Sequence, residues 1–195
     1  MENTLFIFDM GFVLLDNVDF REKWIEKLGV DRQEFIREYD SYLYPIMDGR
    51  LDYKQFDRHI EQFFDIKVEG DPWYDFFEPK LNPYIVDLIN RLKAKGYMVV
   101  CGTNNCVPHW RYITEKGWDK IFDACYASHL MGLSKPSSAY YKAILKAEGF
   151  SANNAMMIDD SLYNLEGAAK CGLQTFFLPQ GYDRSQIFKD FEKYL

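Results

Sequence analysis

The sequence predicts an α/β fold, a doubly wound parallel sheet with an all-helical insertion after its first strand. Three observations carry this. Short β-prone apolar runs recur at residues 4–8, 98–101, 155–158 and 175–178, with 125–127 as a weaker fifth. Runs without polar alternation suit strands buried on both faces, as parallel sheets require. Helical segments separate the later runs, and strand–helix alternation is the pattern of such sheets. The stretch from Asn17 to Leu81 breaks that alternation and reads as helical. The chain therefore divides into a core, residues 1–16 and 82–195, and a helical cap domain, residues 17–81.

Each element has a local reason. Within the insertion, Phe20, Trp24, Ile25 and Leu28 have helical spacing, as do Phe35, Ile36, Tyr39 and Leu43. Asp52 and Gln55 have the spacing of a capping box ahead of Phe56, Ile60 and Phe63. In the core, Asn82 is a natural N-cap with Pro83 at the first helical position. Ile85, Leu88, Ile89 and Leu92 then share a face until Gly96. A helix from Ser137 carries Tyr140, Tyr141, Ile144 and Leu145 and stops at Gly149; another follows Ser161 and ends before Gly172. Tyr39, Tyr42, Tyr44, Trp73, Tyr74, Phe76 and Phe77 give the cap an aromatic character, read first as the core of a small bundle.

Composition narrows the function. The chain has 195 residues, 48% hydrophobic and 27% charged, which is globular composition. Lys and Arg number 23 against 30 Asp and Glu, a net charge of −7. That balance argues against nucleic acid, whose affinity is built from clustered cations. No apolar run approaches the length of a membrane span. The N-terminus lacks a basic segment ahead of a long apolar run, so a cytoplasmic protein without a secretory leader is expected. Cys101, Cys106, Cys125 and Cys171 form no Cys-x-x-Cys pair and read as reduced thiols. Oligomeric state leaves no trace in the sequence.

Four features close strands in one order along the chain. Asp9 ends the first run, Thr103-Asn104 the second, and Asp159-Asp160 the fourth, with Asn164 four residues on from Asp160; Lys135-Pro136 lies in the loop after the third. A parallel sheet brings all of them to its carboxyl edge, where open α/β sheets bind ligands. Together they supply a carboxylate nucleophile, a hydroxyl and an amide for an anion, an ammonium group, and further carboxylates for a hard cation.

These residues resemble the motifs of the haloacid-dehalogenase (HAD) superfamily. Phe6-Ile7-Phe8-Asp9-Met10-Gly11 is similar to its first motif, Val100-Cys101-Gly102-Thr103-Asn104 to its second, and Gly132-Leu133-Ser134-Lys135-Pro136 to its third. Met157-Ile158-Asp159-Asp160 through Asn164-Leu165-Glu166-Gly167-Ala168 is similar to its fourth. The resemblance spans nearly the whole chain and implies a Rossmann-like core with an inserted type-1 cap. Within the superfamily, Gly11 and the Asp-Asp pair resemble the bacterial α-D-glucose-1-phosphate phosphatase group and the N-terminal phosphatase domain of soluble epoxide hydrolase.

That resemblance implies a Mg²⁺-dependent phosphatase acting on a small phosphorylated metabolite, with a sugar phosphate favoured. Asp9 would form an aspartyl-phosphate; the Asp9 carboxylate, the Gly11 carbonyl and Asp160 would hold Mg²⁺. Thr103 Oγ and the Asn104 amide would hold phosphoryl oxygens, and Lys135 would neutralise charge on Asp9 and the phosphate. Asp159 and Asn164 would support Lys135 or a metal-bound water. The family's commonest first motif carries a second Asp, the general acid and base, where this chain has Gly11. Asp16 is the nearest substitute along the chain. Two other readings use the same residues. A metal-free 2-haloacid dehalogenase would attack carbon with Asp9 and read a carboxylate with Arg21 or Arg50. A non-catalytic phosphate-binding module would explain Gly11 as the mark of a lapsed site.

Overall fold

The computed structural model describes residues 4–195. Residues 1–3, which bear on the expectation of no leader, lie outside the described residues. The chain begins with β1 (Leu5–Phe8) and β2 (Leu15–Asp16). Four helices follow, α1 (Arg21–Leu28), α2 (Arg32–Met47), α3 (Tyr53–Phe64) and α4 (Pro72–Asp75), and then β3 (Lys80–Leu81). The remainder alternates: α5 (Pro83–Ala94), β4 (Met98–Thr103), α6 (Val107–Glu115), β5 (Ala124–Ala127), α7 (Ser128–Met131), α8 (Ser138–Glu148) and β6 (Ala155–Asp159). It closes with α9 (Leu162–Lys170), β7 (Gln174–Phe177) and the short α10 (Ile187–Asp190).

The five longer strands form a parallel sheet in the order β5-β4-β1-β6-β7. β1 is central and all four of its residues are fully buried, which explains its unbroken apolar run. Its side chains alternate between two cores. Phe6 and Phe8 pack with Val99, Ile158, Leu88 and Ile187 on one face. Leu5 and Ile7 pack with Val100, Met157, Tyr140 and Ile144 on the other. The chain leaves β1 for β4 and β5, then crosses back to β6 and β7 on the far side. A switch of strand order therefore lies at β1, and a ligand crevice opens at its carboxyl end.

α1 to α4 enclose a third core of Trp24, Phe35, Tyr39, Phe56, Ile60 and Trp73. Its rings meet mainly edge to face, such as Trp24 against Phe35 at 5.2 Å and 72°. The capping box at Asp52 and Gln55 forms as its spacing predicts. Where the helical segment joins the sheet, β2 and β3 pair antiparallel, Leu15 opposite Leu81. α6 is not foreseen by the sequence. Pro108 suggests a breaker there, but it lies in the first turn, where a missing N–H costs nothing.

One glycine fixes how α9 meets the loop that carries Lys135. A Cβ on Gly167 would stand 2.4 Å from the Pro136 carbonyl oxygen and 2.6 Å from the Pro136 Cβ. Backbone cannot yield as a flexible side chain can. Gly167→Ala is expected to cost about 1–3 kcal/mol in urea denaturation, the usual range for overpacking. It should also displace Lys135 and lower activity; an unchanged midpoint and rate would show that the loop tolerates the shift.

Candidate active site

Asp9 follows β1, and its N–H donates to the Ile158 carbonyl of β6 at 2.8 Å. The chain then turns back sharply: Leu15 N–H donates to the Met10 carbonyl at 2.8 Å, and Phe12 N–H to the Leu15 carbonyl at 2.7 Å. Phe12 takes a left-handed φ of 55°, a strained conformation for a bulky side chain. Arg184 steadies it from the other end of the chain, donating from Nη2 to the Phe12 carbonyl at 2.6 Å and from Nη1 to the Pro179 carbonyl at 3.1 Å.

Lys135 is the hub of the site. Its side chain is fully buried, with Nζ 2.9 Å from Asp9 Oδ1 and 2.7 Å from Asp159 Oδ2. Asn104 holds the Lys135 backbone at both ends: Oδ1 accepts from the Lys135 N–H at 2.8 Å and Nδ2 donates to the Lys135 carbonyl at 2.9 Å. The Asn104 side-chain amide, expected to grip phosphate, is thus engaged with this loop. Thr103 closes β4, one strand over from Asp9, and is buried. Among the described residues its Oγ reaches only the Asn104 carbonyl, at 3.5 Å, too far for an effective hydroxyl bond.

Asp159 is fully buried and saturated with donors. It accepts from the Ser161 N–H at 2.8 Å and from Asn164 Nδ2 at 3.1 and 3.2 Å, besides the Lys135 ammonium. Asn164 acts on the site through this contact. Asp160 is half-buried, with Oδ2 accepting from Gln180 at 3.3 Å. Oxygens of Asp9, Asp159 and Asp160 lie within 4.8 Å of one another.

Three carboxylates thus face one ammonium, and the electrostatics follow. Burial pushes the Asp9 carboxyl up to about 7; Lys135 opposes the rise, while Asp159 and Asp160 add to it. Burial also raises Asp160. Burial pulls Lys135 down, but the Asp159 and Asp9 carboxylates more than reverse this and hold it above its ordinary value. Burial is the larger cause at Asp9 and Asp160 and the neighbouring carboxylates add to it, whereas at Lys135 the carboxylates outweigh burial. A compact all-oxygen set of this kind fits a hard divalent cation such as Mg²⁺.

Beside the cluster, a cavity of about 520 Å³ opens between sheet edge and cap, within the range of small-molecule sites. Gly11, Thr103, Asn104 and Gln180 line it from the core, and Phe20, Arg21, Tyr39, Leu43 and Met47 from the helical segment. A Cβ on Gly11 would find its nearest neighbour, Val18 Cγ2, at an ordinary 3.7 Å, so no steric demand excludes a side chain there. Asp16 is not brought to the site: in β2 it accepts from Asn82 Nδ2 at 3.0 Å. Arg21 lines the cavity with its guanidinium bound to Asp19 at 2.9 and 2.6 Å, whereas Arg50 is exposed and bonded to Asp48. His109, placed by α6, also lines the cavity; its ring stacks on Phe77 at 4.0 Å and 10°. His59 pairs with Glu38, and His129 with the Asn105 carbonyl.

Two contributors escape sequence reasoning for different reasons. Gln180 lies just beyond the end of β7, a position that could have marked it. Arg184 acts on Phe12 across 172 residues of chain, and no local pattern announces that.

Comparisons with known proteins agree with this architecture. A HAD family enzyme of Bacteroides thetaiotaomicron, solved with magnesium and inorganic phosphate, superposes with a TM-score of 0.78 at 25% identity, covering 95% of this chain and 99% of that one. A HAD-like hydrolase structure from Porphyromonas gingivalis has a TM-score of 0.80 at 19% identity, covering 99% of each chain, and speaks for the fold alone. Among curated proteins, a glyceraldehyde 3-phosphate phosphatase of Pyrococcus furiosus is 31% identical over 93 residues, 47% of this chain and 39% of its own length. The protein CbbY of Cereibacter sphaeroides is 27% identical over 139 residues, 69% of this chain and 57% of its own. A sesquiterpene phosphatase of Aspergillus oryzae is 33% identical over 91 residues, 46% of each chain. The chain spans roughly half the length of these curated relatives. Among the described residues, no helix is long and apolar enough to cross a membrane. The family model of the haloacid dehalogenase-like hydrolases matches residues 4–172, and the chain belongs to that family.

Proposed function

We propose that this protein is a Mg²⁺-dependent phosphatase that hydrolyses a small phosphorylated metabolite through an aspartyl-phosphate on Asp9. The observation that carries the reading is the charge excess at the carboxyl edge: three carboxylates within 4.8 Å of one another around a single buried ammonium. A phosphate dianion could not approach Asp9 against that field without added positive charge. The Asp9 carboxylate, the Gly11 carbonyl and Asp160 would hold Mg²⁺, with Asp159 committed to Lys135. When bound, the cation supplies charge neutralisation and Lewis-acid polarisation of the phosphoryl group. A relative solved with magnesium and inorganic phosphate supports the choice of cation.

In this mechanism an Asp9 oxygen attacks phosphorus while Lys135 Nζ and Thr103 Oγ stabilise the negative charge spread over the phosphoryl oxygens. The ester P–O bond breaks, the alkoxide leaves and takes its proton from water, and a water molecule then attacks the acyl-phosphate, releasing inorganic phosphate and restoring the Asp9 carboxylate. The chain offers no carboxylate at Gly11 to protonate the leaving alkoxide. Good leaving groups should therefore be hydrolysed disproportionately faster, since a placed acid typically contributes about 10²–10⁴-fold. A sugar phosphate is the substrate favoured by resemblance, and glyceraldehyde 3-phosphate phosphatases among the relatives are in keeping with small phosphorylated carbohydrates. The dehalogenase reading is disfavoured by the third carboxylate and by Arg21, whose guanidinium is already engaged by Asp19.

The test is release of p-nitrophenol from p-nitrophenyl phosphate with Mg²⁺ and with excess EDTA. Turnover that EDTA abolishes and Mg²⁺ restores is expected. Equal rates in both conditions would remove the cation from the mechanism, and release of halide from a 2-haloacid without metal would favour the dehalogenase.

A further inference from the structure

The cavity wall beside the phosphate end also bears on the organic half of the ester, an inference that rests on the phosphatase reading above. Asn105 follows Thr103 and Asn104 directly, and His109 lies about one helical turn further on, in the first turn of α6. Both line the cavity. Each carries a polar atom that the described part of the fold leaves without a partner.

Asn105 is buried and held by its neighbours. Its Oδ1 accepts from the Cys106 N–H at 2.8 Å, and its own N–H donates to Ser128 Oγ at 2.9 Å. The bond to Cys106 fixes which end of the amide is oxygen. Nδ2, with two hydrogens to give, makes no hydrogen bond among the described residues.

His109 is fixed by rings. Phe77 stacks flat on it, Phe20 meets it edge-on at 4.9 Å and 88°, and Trp73 lies tilted at 6.2 Å. Its Nε2 is buried with no hydrogen-bond partner. Burial pulls the imidazole down to about 3, against an opposing pull from the Trp73 backbone, so the ring is neutral. A neutral imidazole has one N–H and one lone pair. In either tautomer Nε2 suits a hydroxyl, which both donates and accepts.

Arg21 and Gln180, also on this wall, are engaged by Asp19 and by Asp160. Phe20, Leu43 and Met47 add apolar surface. A ligand that bonds a buried polar atom recovers what the fold loses by leaving it unpaired. An apolar alcohol would cover Nδ2 and Nε2 and satisfy neither. A hydroxylated one can pair with both and lay its C–H faces on the apolar part. We infer that Asn105 and His109 are specificity-determining residues that read hydroxyl groups on the carbons next to the ester. The cavity thereby selects phosphate monoesters of polyhydroxylated alcohols over those of apolar ones.

Paired ligands test this on the Asp9→Asn protein with Mg²⁺ present, where the ester is not consumed. Glycerol 3-phosphate and n-propyl phosphate share a three-carbon chain and differ by two hydroxyls; calorimetry reads the ratio of their dissociation constants. At a few-fold for each hydrogen bond, glycerol 3-phosphate should bind about tenfold more tightly. His109→Phe keeps a ring for Phe77 to stack on but removes the nitrogen, and should cut the ratio to a few-fold. Adding Asn105→Ala should bring it near one. Each ratio is taken within one variant, so a general loosening of the site moves both ligands together. A ratio near one in Asp9→Asn alone, or a tenfold ratio that both substitutions leave in place, would overturn the assignment. A ratio that the substitutions remove, with no hydrolysis of either ester by the wild-type protein, would uphold the two residues and remove the phosphatase reading instead. Failure of both esters to bind would overturn both.

Discussion

Asp9→Asn should abolish phosphate-ester hydrolysis while making the metal-free protein more stable. The loss follows from chemistry: a neutral amide is a poor nucleophile toward phosphorus, and removing a covalent nucleophile typically costs on the order of 10⁴-fold or more. The gain follows from the charge arrangement. Asp9 is buried, its carboxyl is pushed up to about 7, and Asp159 and Asp160 both repel its ionised form. Asparagine keeps the shape and an oxygen that can accept from Lys135 Nζ, now 2.9 Å away, but removes the charge. An increase of about 1–2 kcal/mol is expected, the scale on which relieving a functional site stabilises a protein. For a chain of this size that is a few degrees in melting temperature. Adding Mg²⁺ should narrow or reverse the difference, because the wild type alone has the full carboxylate set. Thermal melts with EDTA and with Mg²⁺, beside a steady-state assay, check both halves. Activity within tenfold of wild type would place the nucleophile elsewhere, and a lower melting temperature in EDTA would show that the carboxylate is not strained.

Lys135→Met should fail in both respects. The ammonium lies between two buried carboxylates, and methionine fills similar volume without charge. Asp9 and Asp159 would then face each other with nothing between them. Breaking a buried ion pair by removing one partner costs about 3–5 kcal/mol, so the urea midpoint should fall substantially. Activity should fall with it, since charge on the transferring phosphoryl group loses its nearest protein counterion; removing one such preorganised donor typically costs about 10²–10³-fold. The double variant Lys135→Met with Asp9→Asn separates the two effects. It should recover part of the stability, because one of the opposed carboxylates is gone, and none of the activity. A single variant as stable as wild type would mean that the carboxylates relax or take up protons at little cost.

The sequence by itself determined the sheet and its carboxyl edge. Three of the four apolar runs are strands buried on both faces, the fourth, β7, is a largely exposed edge strand because no strand among the described residues pairs beyond it, and a parallel sheet sends all their ends to one side. Asp9, Thr103, Lys135, Asp159 and Asp160 could therefore be grouped before any coordinate existed. The Asn82, Asp52, Ser137 and Ser161 caps were equally legible, because capping depends on residues within three positions of one another. Only the tertiary structure decided the rest. Asn104 turns out to bind the Lys135 backbone, a partner 31 residues away, rather than offering its side-chain amide to an anion. Asp16, so near Asp9 along the chain, is drawn off to Asn82. Periodicity and capping report what a residue does to its neighbours in sequence. Which long-range partner captures a side chain depends on packing between elements, and no local pattern encodes that.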